Sequence, residues 1–275
     1  MAIRIILLDL DGTLLTHDKQ LSPGNRAALE RAAAMGIWIV PSTGRFYQGM
    51  PAVVRELPFV RYAVTVNGAQ VYDAAEDAVL HRAEISLPAA ERVFQRVAGL
   101  PAICDCYLDG WGYMDAAHYA QIDQFITDPQ ANRMVKELRR PVADLEAFLR
   151  RKGRPLQKIQ LFFQEVDRRR TAMAELERAF PDMAVTSSIP NNIEINDKAA
   201  TKGEALRFLC RHLGVDVRDT MAFGDGSNDM TMIRAAGIGV AMANADPALR
   251  AAADYVTDTN DADGVAKAIA RFCFD

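Results

Sequence analysis

Apart from Arg4, the stretch Ile3 to Leu8 is unbroken Ile and Leu. A run this short and this apolar predicts a strand buried on both faces, with Asp9 at its carboxyl end. Ser22-Pro23 then supplies a helix N-cap followed by Pro in the first turn, the Ala-rich stretch Arg26 to Met35 carries the helix, and Gly36 ends it. Ile37 to Val40 reads as a second buried strand, so the first forty residues form a strand-helix-strand unit with a right-handed crossover and imply a parallel sheet. Tyr62 to Val66 and Gln70 to Tyr72 flank Asn67-Gly68, the sequence signal of a hairpin.

The texture changes between about Ile85 and Pro190. Helical stretches Pro88 to Gly99 and Val166 to Phe180 separate strand-like runs Ile103 to Leu108, Lys158 to Phe163 and Met183 to Thr186, which reads as an inserted α+β domain. The basic clusters Arg139-Arg140, Arg150-Arg151-Lys152 and Arg168-Arg169-Arg170 are expected on solvated helix faces. After Ile193-Glu194-Ile195 the alternation returns, with helix Thr201 to Leu213, strand Thr220 to Phe223, helix Asp229 to Ala236, strand Ile238 to Met242 and helix Pro247 to Ala253. An α/β fold follows: a doubly wound, Rossmann-like parallel sheet formed by residues 1–84 and 191–275, interrupted by an α+β domain at 85–190.

A chain of 275 residues, 50% hydrophobic and 25% charged, has enough material for such a core. Its net charge of −4 is the opposite of a nucleic-acid footprint, so no nucleic-acid partner is expected. The apolar start is cut short by Asp9 and Asp11 without a small-residue cleavage site, and no uncharged apolar run approaches membrane length, which predicts a cytoplasmic protein without membrane association. Four cysteines without a Cys-x-x-Cys pair are expected as reduced thiols, and four scattered histidines offer no metal-ligand spacing. Chemistry must therefore come from carboxylates.

Asp9-Leu10-Asp11-Gly12-Thr13 sets two carboxylates where the first buried strand runs out, with Gly12 permitting a sharp turn. Ser42-Thr43-Gly44-Arg45 follows the second strand and offers hydroxyls, free amides and a cation, although a helix N-cap with an exposed Arg explains it as well. Gly224-Asp225-Gly226-Ser227-Asn228-Asp229 ends a third strand and adds two carboxylates. Carboxylates gathered from separate strand ends repel one another unless a cation sits among them, and hard oxygen ligands suit Mg²⁺. Thr201-Lys202-Gly203-Glu204 fits a capping box that places Lys202 in the first helical turn, where the helix dipole disfavours a cation by roughly 0.3–1 kcal/mol. An anion met by Lys202 would offset that cost. Together these groups are what phosphoryl transfer through an acyl phosphate requires.

In that order the motifs Asp9-x-Asp11-Gly12-Thr13, Thr43-Gly44-Arg45, Lys202-Gly203 and Gly224-Asp225-Gly226-x-Asn228-Asp229 resemble those of the haloacid dehalogenase superfamily, over nearly the whole chain. The Asn67-Gly68 hairpin, the inserted domain after the second motif and the run Val240 to Ala245 look most like its Cof-type sugar-phosphatase branch. The resemblance implies that Asp9 attacks phosphorus, that Asp11 protonates the leaving oxygen and later deprotonates water, and that Thr43 and Lys202 bind the phosphoryl oxygens. Gly12, Ser42, Gly44, Arg45 and Asn228 would line the same phosphate site. Mg²⁺ would be held by the Asp9 carboxylate, the Asp11 carbonyl and Asp225, with Asp229 completing or orienting the set.

Related ATPases carry Thr at the position of Asp11, so an acid there favours hydrolysis of phosphate monoesters with poor alkoxide leaving groups. The expected substrate is a small phosphorylated metabolite, a sugar phosphate or a relative of one, with the inserted domain as a cap that sets specificity. The protein is expected as a monomer or weak homo-oligomer. Lys198 rivals Lys202 for the phosphate-binding role, and cap-side candidates include Asp109, Trp111, Tyr113 and Asn192. A phosphomutase using the same chemistry and a silent phosphoryl-binding module are the competing readings.

Overall fold

A computed structural model describes residues 2–274, and it divides into two compact units. The first joins Met1–Arg82 to Ala200–Asp275, and the second is Ala83–Ala199.

The first unit is built on a five-stranded parallel sheet in the order Tyr255–Val256, Ile238–Ala241, Thr220–Gly224, Ile5–Leu8, Trp38–Pro41. All four residues of Ile5–Leu8 are fully buried, as their unbroken apolar pattern requires, and each such side chain contributes roughly 1.5–3 kcal/mol. From this strand the chain passes to Trp38–Pro41 on one side and, after the second unit, to Thr220–Gly224 on the other. The register pairs Leu8 with both Phe223 and Pro41, so three strands run out side by side at this reversal point. Ligands of open α/β sheets bind beyond such carboxyl ends.

The helix Pro23–Ala34 starts as its punctuation demands, with Ser22 Oγ accepting from the Asn25 amide and Pro23 in the first turn. A three-stranded antiparallel sheet, Tyr62–Thr65, Gln70–Asp73 and Ala78–Arg82, continues beside Trp38–Pro41 through a single parallel bridge between Ser42 and Val64. The helix Lys202–Leu213 is capped by Thr201, whose hydroxyl accepts from the Glu204 amide, and closes on Gly214 in the left-handed region.

The second unit is a six-stranded sheet in the order Met183–Thr186, Asn192–Asp197, Lys158–Phe163, Ala102–Leu108, Trp111–Asp115, Arg139–Val142. One face packs Cys104, Cys106, Ile159, Leu161, Ile193 and Ile195 against the helices Leu87–Val97, Leu145–Lys152 and Val166–Ala179. Two expectations change here. The strand containing Ile193 and Ile195 pairs antiparallel with Lys158–Phe163, so it belongs to this sheet, and the division falls at 199/200 where 190/191 was expected. Arg139 lies on a strand instead of a solvated helix face: it is buried and held by Asp105 at 2.6 Å, with Tyr107 accepting at 2.8 Å. The sheet face away from these helices carries this pair and a second buried ion pair, Lys158 with Glu194 at 3.1 Å.

All four cysteines are free thiols, as their spacing predicts. Among the described residues no helix is long and apolar enough to cross a membrane.

Candidate active site

Two of the three adjacent strand ends, those of Ile5–Leu8 and Thr220–Gly224, bring Asp9, Asp225 and Asp229 to one place, and the third leads into Ser42 and Thr43. Asp9 follows Leu8 and its amide donates to the Phe223 carbonyl at 3.0 Å, while the Ser42 amide donates to the Leu8 carbonyl at 2.7 Å. Beyond Asp9 the chain turns back on itself through Leu14 N–H to Asp9 O and Leu15 N–H to Leu10 O. Gly12 makes that turn possible twice over: its φ is +86°, and a Cβ on it would lie 2.4 Å from Asp225 Oδ2.

Asp9, Asp225 and Asp229 each offer a carboxylate oxygen within 4.8 Å of the other two. One cation of the protein stands among them. Lys202 Nζ, fully buried, donates to Asp9 Oδ1 and Asp229 Oδ1, both at 2.6 Å, and to the Ser42 carbonyl at 3.0 Å. Burial alone would lower the Lys202 ammonium, but Asp229 and Asp9 outweigh it and hold it above its ordinary value. Lys198, the rival position, is exposed and donates instead to the Pro181 carbonyl at 2.8 Å.

One ammonium against three carboxylates leaves the cluster short of positive charge. Burial drives the Asp9 carboxyl well above its ordinary value, with Lys202 pulling it back and Asp229 and Asp225 adding to the rise. Burial and Asp229 likewise push Asp225 up to about 6. A divalent cation bound by these oxygens would restore Asp9 and Asp225 to carboxylates, and an all-oxygen donor set suits Mg²⁺.

The supporting bonds fix where each oxygen points. Asp229 Oδ2 accepts from the amides of Asp225 and Gly226 at 2.9 and 3.0 Å, and Thr13 Oγ1 donates to Asp225 Oδ1 at 2.8 Å. Asn244 Nδ2 donates to the Gly12 carbonyl at 2.8 Å. Thr13 stood in the acidic motif with no role attached, and Asn244 carried no signal beyond its place in a short apolar run.

Asp11 is placed apart from the cluster. Its carboxylate takes a bidentate pair of bonds from Arg45, Nε at 3.0 Å and Nη2 at 2.9 Å, and a third from Lys19 Nζ at 2.9 Å. Burial would raise Asp11, but Arg45 and Lys19 prevail and hold it below the usual carboxylate range. Arg45, expected to line the phosphate site, is thus engaged with Asp11. Thr43 is buried, with its amide donating to Val64 O and its hydroxyl accepting from Arg45 N–H. The Ser42 hydroxyl is buried with no hydrogen-bond partner among the described residues. Asn228 Nδ2 donates to Asn67 Oδ1 at 3.3 Å, and Gly44 packs against the same oxygen. Asn192, a cap-side candidate, is buried in the second unit, where its Oδ1 accepts from the amides of Ser188 and Ile189.

Residues 6–269 match the family model of the haloacid dehalogenase-like hydrolases. A 5-amino-6-(5-phospho-D-ribitylamino)uracil phosphatase of Bacillus subtilis, YcsE, is 30% identical over 272 residues, covering 97% of this chain and 94% of its own. Phosphatase YwpJ of the same organism is 31% identical over 287 residues, covering 96% and 98%. The solved structure of a haloacid dehalogenase-like hydrolase from B. subtilis aligns with a TM-score of 0.84 at 27% identity, over 98% of this chain and all of that one. With its motifs, its sheet order and these likenesses in agreement, the chain belongs to the haloacid dehalogenase-like hydrolase family, in its Cof-type branch of phosphatases.

Proposed function

We propose that the protein is a Mg²⁺-dependent phosphatase that hydrolyses small phosphate monoesters, sugar phosphates or related phosphometabolites, through an aspartyl-phosphate intermediate. The observation that carries this reading is Asp9, buried at a strand end, bonded by Lys202 at 2.6 Å and sharing a 4.8 Å cluster with Asp225 and Asp229.

Asp9 is the nucleophile: a carboxylate oxygen forms the new bond to phosphorus as the ester P–O bond breaks. Asp11 gives the departing alkoxide its proton. In the second half Asp11 takes a proton from the water that attacks phosphorus, the bond to Asp9 breaks, and inorganic phosphate leaves with the Asp9 carboxylate restored. Paired with Arg45 and Lys19, Asp11 is held in the ionised form that the second half needs, so donation in the first half requires that pairing to loosen. Lys202 and the Thr43 hydroxyl bind phosphoryl oxygens and orient the ester for in-line attack. Mg²⁺, held by Asp9, Asp225 and the Asp11 carbonyl with Asp229 orienting the set, would supply charge neutralisation for the phosphoryl oxygens.

The relatives' substrates, one a ribitylaminouracil phosphate, support a small phosphorylated metabolite as substrate. The second unit serves as the cap that selects it. Incubation with a panel of phosphorylated sugars and cofactors tests the proposal, with phosphate release measured in Mg²⁺ and in chelator beside Asp9→Asn. Release that needs Mg²⁺ and vanishes in the variant is expected, and release by Asp9→Asn at the wild-type rate overturns the assignment of the nucleophile.

A further inference from the structure

The turn between the strands Tyr62–Thr65 and Gln70–Asp73 holds two consecutive non-glycine residues in the left-handed region, and the first of them is strained. Val66 and Asn67 have φ of +51° and +58°, a region rarely adopted by a β-branched side chain. Reversing the chain does not demand this, because Asn-Gly alone completes a tight hairpin without a left-handed Val. Such conformations persist where surrounding contacts over-determine them, and they gather at functional sites.

The contacts that hold this turn come from the loops of the candidate active site. Val66 N–H donates to the Arg45 carbonyl and Asn67 N–H to the Thr43 carbonyl, both at 3.0 Å. Asn67 Oδ1 accepts from Asn228 Nδ2 at 3.3 Å and lies so close to Gly44 that a Cβ there would stand 3.0 Å from it. Gly68 packs on the Thr201 carbonyl, which a Cβ would approach to 2.2 Å. One buried three-residue turn therefore touches the Thr43–Arg45 loop, the acidic loop and the start of the helix that carries Lys202.

We propose that Asn67 is a positioning residue of the phosphate site: its side chain bridges Gly44 and Asn228 and thereby sets the spacing between the Thr43–Arg45 loop and the acidic loop. The inference rests on the phosphatase reading of that site. Loss of the bridge lets the two loops drift and weakens the grip on a phosphoryl group without unfolding the unit.

The test is calorimetric titration of inorganic phosphate, in the presence of Mg²⁺, into the full-length wild type, Asn67→Gly, Asn228→Ala and the double variant, with thermal unfolding measured alongside. Glycine accepts a left-handed φ freely, so Asn67→Gly removes the side chain and spares the backbone. Phosphate binding is expected to weaken about tenfold in Asn67→Gly, while in the Asn228→Ala background the same replacement costs less than about threefold, because the pair is already broken. Unchanged binding by Asn67→Gly, or an equal loss in both backgrounds, overturns the proposal. Wild-type protein that binds no phosphate overturns the phosphatase reading first and this inference with it. Should Asn67→Gly not fold, Asn67→Ala, which keeps a Cβ, is read in the same way.

Discussion

Replacing Lys202 by Met keeps an unbranched side chain only one atom shorter and deletes its charge. In the metal-free protein this leaves Asp9 and Asp229, both buried and both previously within 2.6 Å of the ammonium, facing each other without a cation. Removing one partner of a buried ion pair costs about 3–5 kcal/mol. At roughly 2–4 °C per kcal/mol for a domain of 150–250 residues, the unfolding temperature in chelator should fall by about 6–20 °C. Protonating Asp9 relieves the repulsion, and its folded-state carboxyl is already raised well above 3.8. A carboxyl raised in the folded state weakens the fold as pH climbs above its unfolded value, so the deficit of Lys202→Met should grow from pH 5 towards pH 8. Saturating Mg²⁺ should recover part of the loss by replacing the missing charge. Phosphate release, which also loses a group bound to the developing charge, should drop by about 10²–10³. Scanning calorimetry across pH, with and without Mg²⁺, and a phosphate-release assay read all of this. A metal-free Lys202→Met as stable as wild type at pH 8 would refute the argument that the ammonium neutralises this cluster.

Three further outcomes follow from the geometry. Because metal binding requires deprotonated ligands and Asp225 sits at about 6, Mg²⁺ affinity should fall by up to about tenfold per unit as pH drops below 6; equal affinity by titration at pH 5 and pH 7.5 would contradict this. Gly12→Ala forces a Cβ into the Asp225 carboxylate at a φ of +86°, so Mg²⁺ binding should weaken more than the roughly 1–2 kcal/mol of backbone strain alone would account for, as a calorimetric comparison with wild type would reveal. In the second unit, Arg139→Met strands the buried Asp105 carboxylate and should cost about 3–5 kcal/mol in denaturant unfolding, while adding Asp105→Leu should recover most of it; a double variant as unstable as the single would show that the ion pair is not what matters.

The groups of the candidate site were legible wherever one local signal sufficed. Asp9, Thr43 and Asp225 each follow a short apolar run closely, and a strand end can be recognised without knowing its neighbours. Lys202 was legible because a cation in a first helical turn is out of place unless an anion meets it, and Asp9 and Asp229 now account for it. The pairing of Arg45 with Asp11, 34 residues apart, was hidden because a side chain's choice among several acidic partners is made by tertiary geometry. Arg139-Arg140-Pro141 looked like a solvated segment because nothing nearby in the chain announces Asp105, its partner across the sheet. Ile193 and Ile195 alternate as any half-buried strand does, and alternation cannot say which of two sheets it joins. Asn67-Gly68 reads as a turn, but its contacts with two loops and a helix start depend on residues far apart in the chain.

The position of Ile5–Leu8 between two neighbours in its sheet has a consequence for synthesis on the ribosome. One of its edges can be covered early, by Trp38–Pro41, but the other waits for Thr220–Gly224, which emerges only after the whole second unit. At about 5–20 residues per second, the roughly 200 intervening residues leave a fully apolar strand with an open edge for about 10–40 s. Such an edge is a template for pairing with a neighbouring nascent chain. The inserted unit, contiguous in sequence, can complete its own sheet during that interval, so the parallel sheet is the last part of the molecule to close and the part most exposed to misassembly in the cell.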